Sequence, residues 1–574
     1  MVVRHAGISV EQTAVPTVTD VGGSLSDAVE QHVHPGDAVH IMLGHSRWTA
    51  AARELARQQW GADPGLTLIM ASLGALGALF FRGGMLHKVV TAYSGNSFPS
   101  YAPNPIFQHA YESGEVAVEH WSILTLSQRL EAAARGLPAI VTGSAAGSSL
   151  ADNPAFTTVD SAFGAVGLLA PLAPDVALCH AAVADAHGNL ALSAPLLEGT
   201  WGAWAARRGV VATVEKIVDD LGPLGYRVQI PAHRVLAVVE APFGAHPGGC
   251  FAPGLPVVGY GEDIPFWVDA AAAARNDFDR WARTHLLDPP DHSSYLRHLG
   301  DDRLAGLRLL SDPTSWRADA AANPLPVDDP ISDWEMAASL GAREVRATVS
   351  EHRADAVLAG AGVANLAAWV AVGRARAAGE AVCLTAELGL WDYTPTPADP
   401  YIFNHRVFPG TSMLSDASTV LGMVVGGPAT KTIGCLGAAE VDQHGNLNST
   451  RLRDGRFLVG SGGANDVASR AEACVVVTLG RPRRLPATVS YITAPGAHVT
   501  SVVTDRGVLR RIDGRLQVAA VPAGPGSLGE RVRAMVGSCG WDPEVTAGVT
   551  ELAPVTMSEA LELREFDRRR QFLG

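Results

Sequence analysis

Apolar positions along this chain fall into two rhythms, short and nearly continuous runs on the one hand and longer stretches with helical spacing on the other. Leu25 to His32 predicts a helix. A His34-Pro35-Gly36-Asp37 turn follows, and Ala38 to Leu43 predicts a buried strand. Past Gly44, apolar residues at helical spacing predict a helix over roughly Trp48 to Trp60, then a strand from Leu66, the order expected of a parallel sheet. The pattern returns in the second half. Asp355 to Gly360 predicts a strand, a helix runs through Arg374, and the apolar run from Val382 ends on Glu387, with Gly389 two residues on.

Two echoes indicate duplication. Ala71-Ser72-Leu73-Gly74 lines up with Ala386-Glu387-Leu388-Gly389, so one copy carries Ser where the other carries Glu. Asp185-Ala186-His187-Gly188-Asn189-Leu190 recurs as Asp442-Gln443-His444-Gly445-Asn446-Leu447, each after an alanine-rich apolar run. The repeated D-x-H-G-N-L predicts a tight turn, in which glycine supplies unusual dihedrals and Asp and Asn bond the local backbone. Residues 269–310 have helical, polar-faced spacing, and the Pro- and Asp-rich stretch 312–332 predicts a surface linker. The expected fold class is α/β, with two similar parallel-sheet domains. The expected boundaries are a loose tail over 1–20, a first domain over 21–310, a linker over 311–335 and a second domain over 336–574. Sites in such sheets gather at strand C-termini and between domains, which singles out Glu387.

The 574 residues are 47% hydrophobic and 18% charged, enough for large cores. A formal charge of −14 and the lack of a clustered basic face exclude a general nucleic-acid binder. Only three lysines occur, Lys88, Lys216 and Lys431, so nearly all positive charge is arginine. The six cysteines are scattered without a CxxC pair, the pattern of reduced thiols in a cytoplasmic protein. Met1 to Asp20 has no apolar core of a signal peptide, and Leu66 to Phe81 is too short and too interrupted to span a membrane, so no membrane association is expected. It reads better as a buried strand, turn and helix.

Candidate chemistry centres on two loops. Gly460-Ser461-Gly462-Gly463-Ala464-Asn465-Asp466 follows a predicted strand, Phe457 to Val459, and precedes a helical segment, so its amides form a candidate anion nest. Combined with Glu387, it supplies the two parts of acyl chemistry, a carboxylate nucleophile and amide donors for an oxyanion. Gly360-Ala361-Gly362 lacks the third glycine of a dinucleotide fingerprint, and the matching first-half turn, Gly44 to Trp48, does without glycine-rich spacing. His32, His34 and His40 have no partner ligands at metal spacing, so neither metal nor redox cofactor is expected. There is no G-x-S-x-G elbow of a serine hydrolase.

These residues resemble the class I CoA-transferases, within them the glutaconate CoA-transferase-like branch. In the second half the resemblance rests on Glu387-Leu388-Gly389-Leu390, on Gly437 through Thr450, on Gly460 through Asp466, on Tyr491 through Gly496 and on Val503 through Gly507. In the first it rests on Tyr93-Ser94-Gly95-Asn96-Ser97, Ala132 through Pro138, Gly147-Ser148-Ser149-Leu150 and Gly244-Ala245-His246-Pro247. The resemblance implies fused α- and β-type halves, with Glu387 as catalytic residue and Gly460, Gly462, Gly463, Ala464 and Asn465 as the oxyanion and CoA-binding loop. It implies an acyl pocket from Asn96, Ser97, Gly147, Ser148 and Gly389. The expected activity moves CoA from an acyl-CoA to a carboxylic acid through a glutamyl-CoA thioester, with coenzyme A thioester as substrate and a homodimer as assembly. A thioesterase or decarboxylase on the same fold, or a non-catalytic acyl-CoA-binding subunit, are the alternatives. Two departures stand out, Leu388 in place of the frequent Asn or Ser, and Glu440 in place of the usual Gln.

Overall fold

The structure, a computed structural model, describes residues 19–42 and 48–574. The expected 1–20 tail and the Gly44–Arg47 turn therefore fall almost wholly outside the described residues. Local sequence signals place the elements well. The Leu25–His32 helix begins where the Ser24 side chain accepts the Asp27 N–H, and the Asp333–His352 helix opens with a reciprocal Ser332 and Glu335 capping box. Leu66–Ser72 forms a strand, Ala75–Gly77 a 3₁₀ turn and Ala78–Arg82 a helix, as the apolar run predicts. Among the described residues, no helix is long and apolar enough to cross a membrane.

Each half is built on a largely parallel sheet. In the first, the neighbouring strands are Val235–Glu240, Gly209–Val218, Val176–Asp185, Ala38–Ile41 and Leu66–Ser72, all parallel. In the second they are Val499–Thr504, Ala473–Val477, Thr432–Leu436, Ala356–Ala359 and Cys383–Ala386, again all parallel. The five-strand order is the same in both, which is the duplication the echoes predict. Central strands are buried on both faces, Val176–Asp185 along its whole length, which explains their continuous apolar composition. The edges differ. Leu86–Tyr93 and Ala117–His120 extend the first sheet in parallel, whereas Leu390–Trp391 pairs antiparallel with Cys383–Ala386 and Met413–Leu414 pairs antiparallel with Leu390–Trp391 in turn.

Register refines the alignment of the two strand ends. Asp185 lies nine residues after Val176, and Asp442 nine after Ile433; these residues pair with Val39 and Val357, which in turn pair with Leu68 and Leu384. Glu387 is three residues past Leu384, and Ala71 is three past Leu68. The structural counterpart of Glu387 is thus Ala71 rather than Ser72. The first-half strand runs one residue further because Ser72 still pairs with Tyr93, whereas the second-half strand stops at Ala386 to turn into Leu390–Trp391.

The D-x-H-G-N-L turns are the same object twice. Asp185 accepts the His187 and Asn189 N–H groups at 3.0 and 2.9 Å, and Asp442 accepts those of His444 and Asn446 at 2.9 and 3.0 Å. Gly188 and Gly445 have φ of 93° and 80°. Each Asn then reaches outward, Asn189 to the Ala232 N–H and Asn446 to that of Gly496, both at 2.9 Å. The 312–332 stretch contains a helix, Trp316–Ala322, and its end is held by a buried ion pair, Arg564 Nε to Glu335 Oε1 at 2.6 Å, with Arg564 also donating to the Asp329 and Pro330 carbonyls.

Candidate active site

Glu387 sits in the three-residue turn after Cys383–Ala386, half-buried, at the seam between the halves. Gly389 closes the turn: its φ is 113°, and a Cβ there would stand 2.3 Å from the Ser415 carbonyl oxygen. Ser415 donates back to the Gly389 carbonyl at 2.7 Å. The first half grips the same turn, because the Leu197 N–H bonds the Leu388 carbonyl at 3.3 Å. The Leu388 side chain is buried and contributes packing to the site wall.

One amide faces the carboxylate. Gly463 donates to Glu387 Oε2 at 2.8 Å, and a Cβ on Gly463 would lie 2.1 Å from that oxygen, so any other residue would push the carboxylate off this amide. The other amides of the expected nest are engaged elsewhere. Gly460 donates to the Ser449 carbonyl at 3.0 Å, Gly462 to that of Ala92 at 2.9 Å, Ala464 to that of Ser461 at 3.0 Å, and Asn465 to the Ser461 hydroxyl at 3.2 Å. These residues shape and anchor the loop, and Gly463 alone among them is aimed at Glu387. Phe457 to Val459 is not a sheet strand. It is an extended segment that bonds on both sides of the seam: Leu458 and Val459 donate to the Thr450 and Ser449 carbonyls of their own half at 2.8 and 3.0 Å, while Ser94 donates to the Val459 carbonyl at 2.7 Å and Tyr93 bridges to Gly460.

The first half meets this loop at further points. Ile123 N–H donates to the Gly462 carbonyl at 3.0 Å, and Asp466 accepts the Ser122 hydroxyl at 2.6 Å and the Leu124 N–H at 3.1 Å. Asn465 accepts the Ala145 N–H at 2.8 Å and donates to Ser148 Oγ at 2.9 Å. Ser148 is therefore a loop anchor, and Gly147, with φ of 74°, turns the chain against Pro495. Asn96 is buried, with its Oδ1 accepting from Asn104 Nδ2 at 3.0 Å and its carbonyl accepting the Tyr93 hydroxyl at 2.8 Å. Ser97 lines a small cavity with Gly74, Ala75, Phe98 and Trp267. Glu440 is tied to Asn448 Nδ2 at 2.7 Å, so its charge serves the Glu440–Asn448 bridge.

Burial, and after it the charge of Asp466, pushes the Glu387 carboxyl up to about 7, against the opposing pull of the Gly463 N–H. Asp466 is itself pushed up to about 6 by burial, eased by Ser122 and Leu124. Tyr93 and Tyr101 lie within reach of Glu387's field. Burial first, then neighbouring charge and phenol groups, keep both phenols protonated. Sequence reasoning did not assign Asp466, Ser122, Tyr93 or Tyr101 a role. The available signals were the Asp that ends the glycine loop and a Ser-x-x-Thr capping box at Ser122.

Comparison with known proteins gives the family. The sequence profile of the Coenzyme A transferase family matches residues 23–241. The chain is 30% identical over 289 residues to the A subunit of 3-oxoadipate CoA-transferase from Pseudomonas knackmussii, covering 49% of this chain and 98% of that protein. It is 29% identical over 317 residues to the A subunit of glutaconate CoA-transferase from Acidaminococcus fermentans, covering 50% and 94%. The B subunit of the latter enzyme matches too, at 27% over 165 residues, covering 25% of this chain and 60% of that protein. An acyl-CoA transferase of Escherichia coli O157:H7, YdiF, shares the fold along nearly the whole chain: TM-score 0.65, 15% identity, 94% of this chain and 96% of that one. The chain belongs to the class I CoA-transferase family, with A-type and B-type sequences carried in one polypeptide. Its chemistry is the transfer of CoA between an acyl-CoA and a carboxylate.

Proposed function

We propose that Glu387 is the nucleophile of this transfer. Its oxygen attacks the acyl-CoA carbonyl and expels CoA thiolate, leaving a mixed anhydride. The thiolate then attacks the glutamyl carbonyl, expels the acyl carboxylate and forms a glutamyl-CoA thioester, which hands CoA to the acceptor acid by the reverse steps. The observation that carries this is the 2.8 Å bond from Gly463 N–H to Glu387 Oε2. An oxygen held this way becomes the carbonyl oxygen of the anhydride and thioester, and the same amide stabilises the oxyanion of each attack on it. The carboxyl near 7 is ionised often enough to attack at neutral pH and dehydrated enough to be reactive.

We assign Asn96, Ser97 and Gly389 to the acyl side of this centre; Ser148 acts on it through Asn465, and Gly147 turns the chain beside it. The substrates are an acyl-CoA and a small carboxylic acid, with coenzyme A as the carried group and neither metal nor redox cofactor in the cycle. We further assign the first domain to 21–310, the connecting segment to 311–335 and the second domain to 336–574, with 1–20 as a tail. The fused halves stand for one αβ unit, and two such units form a cytoplasmic homodimer, which light scattering tests. Incubation with a productive acyl-CoA followed by borohydride tests the nucleophile: the thioester is reduced to an alcohol at Glu387, seen as a loss of mass in the peptide that carries it. A general-base thioesterase leaves nothing to reduce, and absence of the product in an active enzyme overturns the assignment.

A further inference from the structure

A second carboxylate shares the seam with Glu387. Asp466 stands in the first turn of the Ala464–Arg470 helix, three residues after Gly463, and is fully buried. Its partners come from the other half: the Ser122 hydroxyl at 2.6 Å and the Leu124 N–H at 3.1 Å, both at the start of the Ile123–Ala134 helix. Asp466 and the Gly463 N–H act on Glu387, and the charge of Glu387 in turn acts on the phenols of Tyr93 and Tyr101. Among these, Asp466 supplies a like charge.

Resting on Glu387 as the nucleophile, we propose that Asp466 is a positioning residue that also acts electrostatically, its buried charge opposing the free carboxylate of Glu387 and so favouring the covalent glutamyl-CoA thioester. The balance is simple. Enzyme carboxylate plus acyl-CoA yields enzyme thioester plus free acyl carboxylate, so one negative charge leaves the seam for water when the thioester forms. Repulsion between two dehydrated carboxylates is present before the step and absent after it. The same residue ties the Gly463 loop to the first half, so the charge is held in place by the contact that assembles the site. Burial raises both carboxyls, and at Glu387 the charge of Asp466 adds to the rise, in keeping with this arrangement.

The proposal links two measurements that a purely structural role leaves unlinked. Removing the charge lowers the pH at which Glu387 ionises, and by the same free energy lowers the ratio of thioester to free carboxylate. Each pH unit corresponds to a factor of about ten. The test uses Asp466→Asn and Asp466→Ser, two neutral replacements that both retain a side-chain oxygen for the Ser122 hydroxyl, with thermal melting to show that either is folded. The acid limb of kcat/KM against pH is recorded, and the fraction trapped by borohydride is measured at a fixed ratio of acyl-CoA to carboxylate. Ser148→Ala, which loosens the neighbouring latch to Asn465 and leaves Asp466 with both its donors and its charge, serves as control. The expected result is a limb moved to lower pH in the neutral variants, with the trapped ratio falling tenfold per unit moved, and no such downward shift in Ser148→Ala. An unmoved limb and ratio in folded neutral variants, or an equal shift in Ser148→Ala, overturns the proposal. No trapped product in wild-type enzyme refutes Glu387 as nucleophile instead, so the two failures are distinguishable.

Discussion

The two halves end the same strand differently. In the first, Leu66–Ser72 runs alongside the parallel Leu86–Tyr93, stays in the ladder to Ser72, and buries Ala71 at the position equivalent to Glu387. In the second, the outer neighbour is the antiparallel Leu390–Trp391, so the chain reverses after Ala386 and leaves Glu387 in a turn. A continuing parallel ladder makes the strand end core, and a tight return makes it a site. The first half is still part of the chemistry. The end of its Leu86–Tyr93 strand accepts the Gly462 amide through Ala92 and receives the glycine loop against Tyr93. Duplication has thus been followed by division of labour, with the proposed nucleophile and oxyanion donor in one half and the surface that positions them in the other.

The comparison breaks outright if the second strand end is dispensable. Glu387→Ala is expected to lower CoA exchange by on the order of 10⁴-fold or more, because loss of a covalent nucleophile removes the whole two-step route. Glu387→Asp withdraws the oxygen by about 1 Å and costs on the order of 100-fold. Both are read by CoA exchange between labelled acyl-CoA and carboxylate. Gly463→Ala comes next. Its Cβ would meet Glu387 Oε2 at 2.1 Å, so the bond cannot persist, and a fall in kcat of about 10² to 10³-fold is expected, as for loss of one oxyanion donor. Wild-type kcat with folded Gly463→Ala protein contradicts the role of that amide.

Much of this was legible in the sequence, for definite reasons. Strand, turn and helix at 25–72 and 355–387 follow from periodicity, and the paired D-x-H-G-N-L announces the duplication because Asp, Gly and Asn are each required by the turn geometry. Glu387 stands out because an apolar strand seldom ends on a carboxylate by chance. The rest depended on pairing between distant segments. Whether Ser72 or Ala71 matches Glu387 is set by ladder register, which a local alignment shifted by one residue does not contain. The use of Gly460, Gly462, Ala464 and Asn465 amides in anchoring, and the approach of Asp466, arise at the seam, where residues some 340 positions apart meet. Phe457 to Val459 has strand composition but pairs with Ser449 to Arg451 on one side and with the first half on the other, without joining a sheet.

Acidity sharpens the contrast between the two strand ends, since only the second titrates. Activity that needs ionised Glu387 should fall below a pH of about 7. Stability responds with the opposite sign. The folded carboxyl lies above its ordinary value of 4.5, so the folded state holds the proton more tightly than the unfolded one. The resulting destabilisation is absent below 4.5 and fully present above about 7. Glu387→Gln should accordingly be more stable than wild type at pH 8 by on the order of 1 kcal/mol, after allowance for partial exposure, with the gap closing as pH falls. Thermal melts at pH 8 and pH 4.5 decide it, and a gap independent of pH removes the titration argument.

The smallest effect tests where the halves should still be alike. Asp185 and Asp442 each accept two backbone amides of their own turn and their Asn side chain, at 2.8 Å in the first turn and 3.1 Å in the second, and Asp442 also meets the Val489 N–H at a long 3.5 Å. Replacing either with Ala strands the same set of part-buried turn donors, so each substitution should cost about 2 kcal/mol in denaturant unfolding. The two costs should agree to within a fraction of that figure. Neither residue touches Glu387, and the turns act only by holding the segments at Ala232 and Gly496, so folded Asp185→Ala and Asp442→Ala enzymes should exchange CoA near the wild-type rate. A loss of exchange in Asp442→Ala alone, at unchanged stability, would mean that the second turn has taken on a part in the chemistry that the first never had, and that the division between the halves reaches beyond the strand end at Glu387.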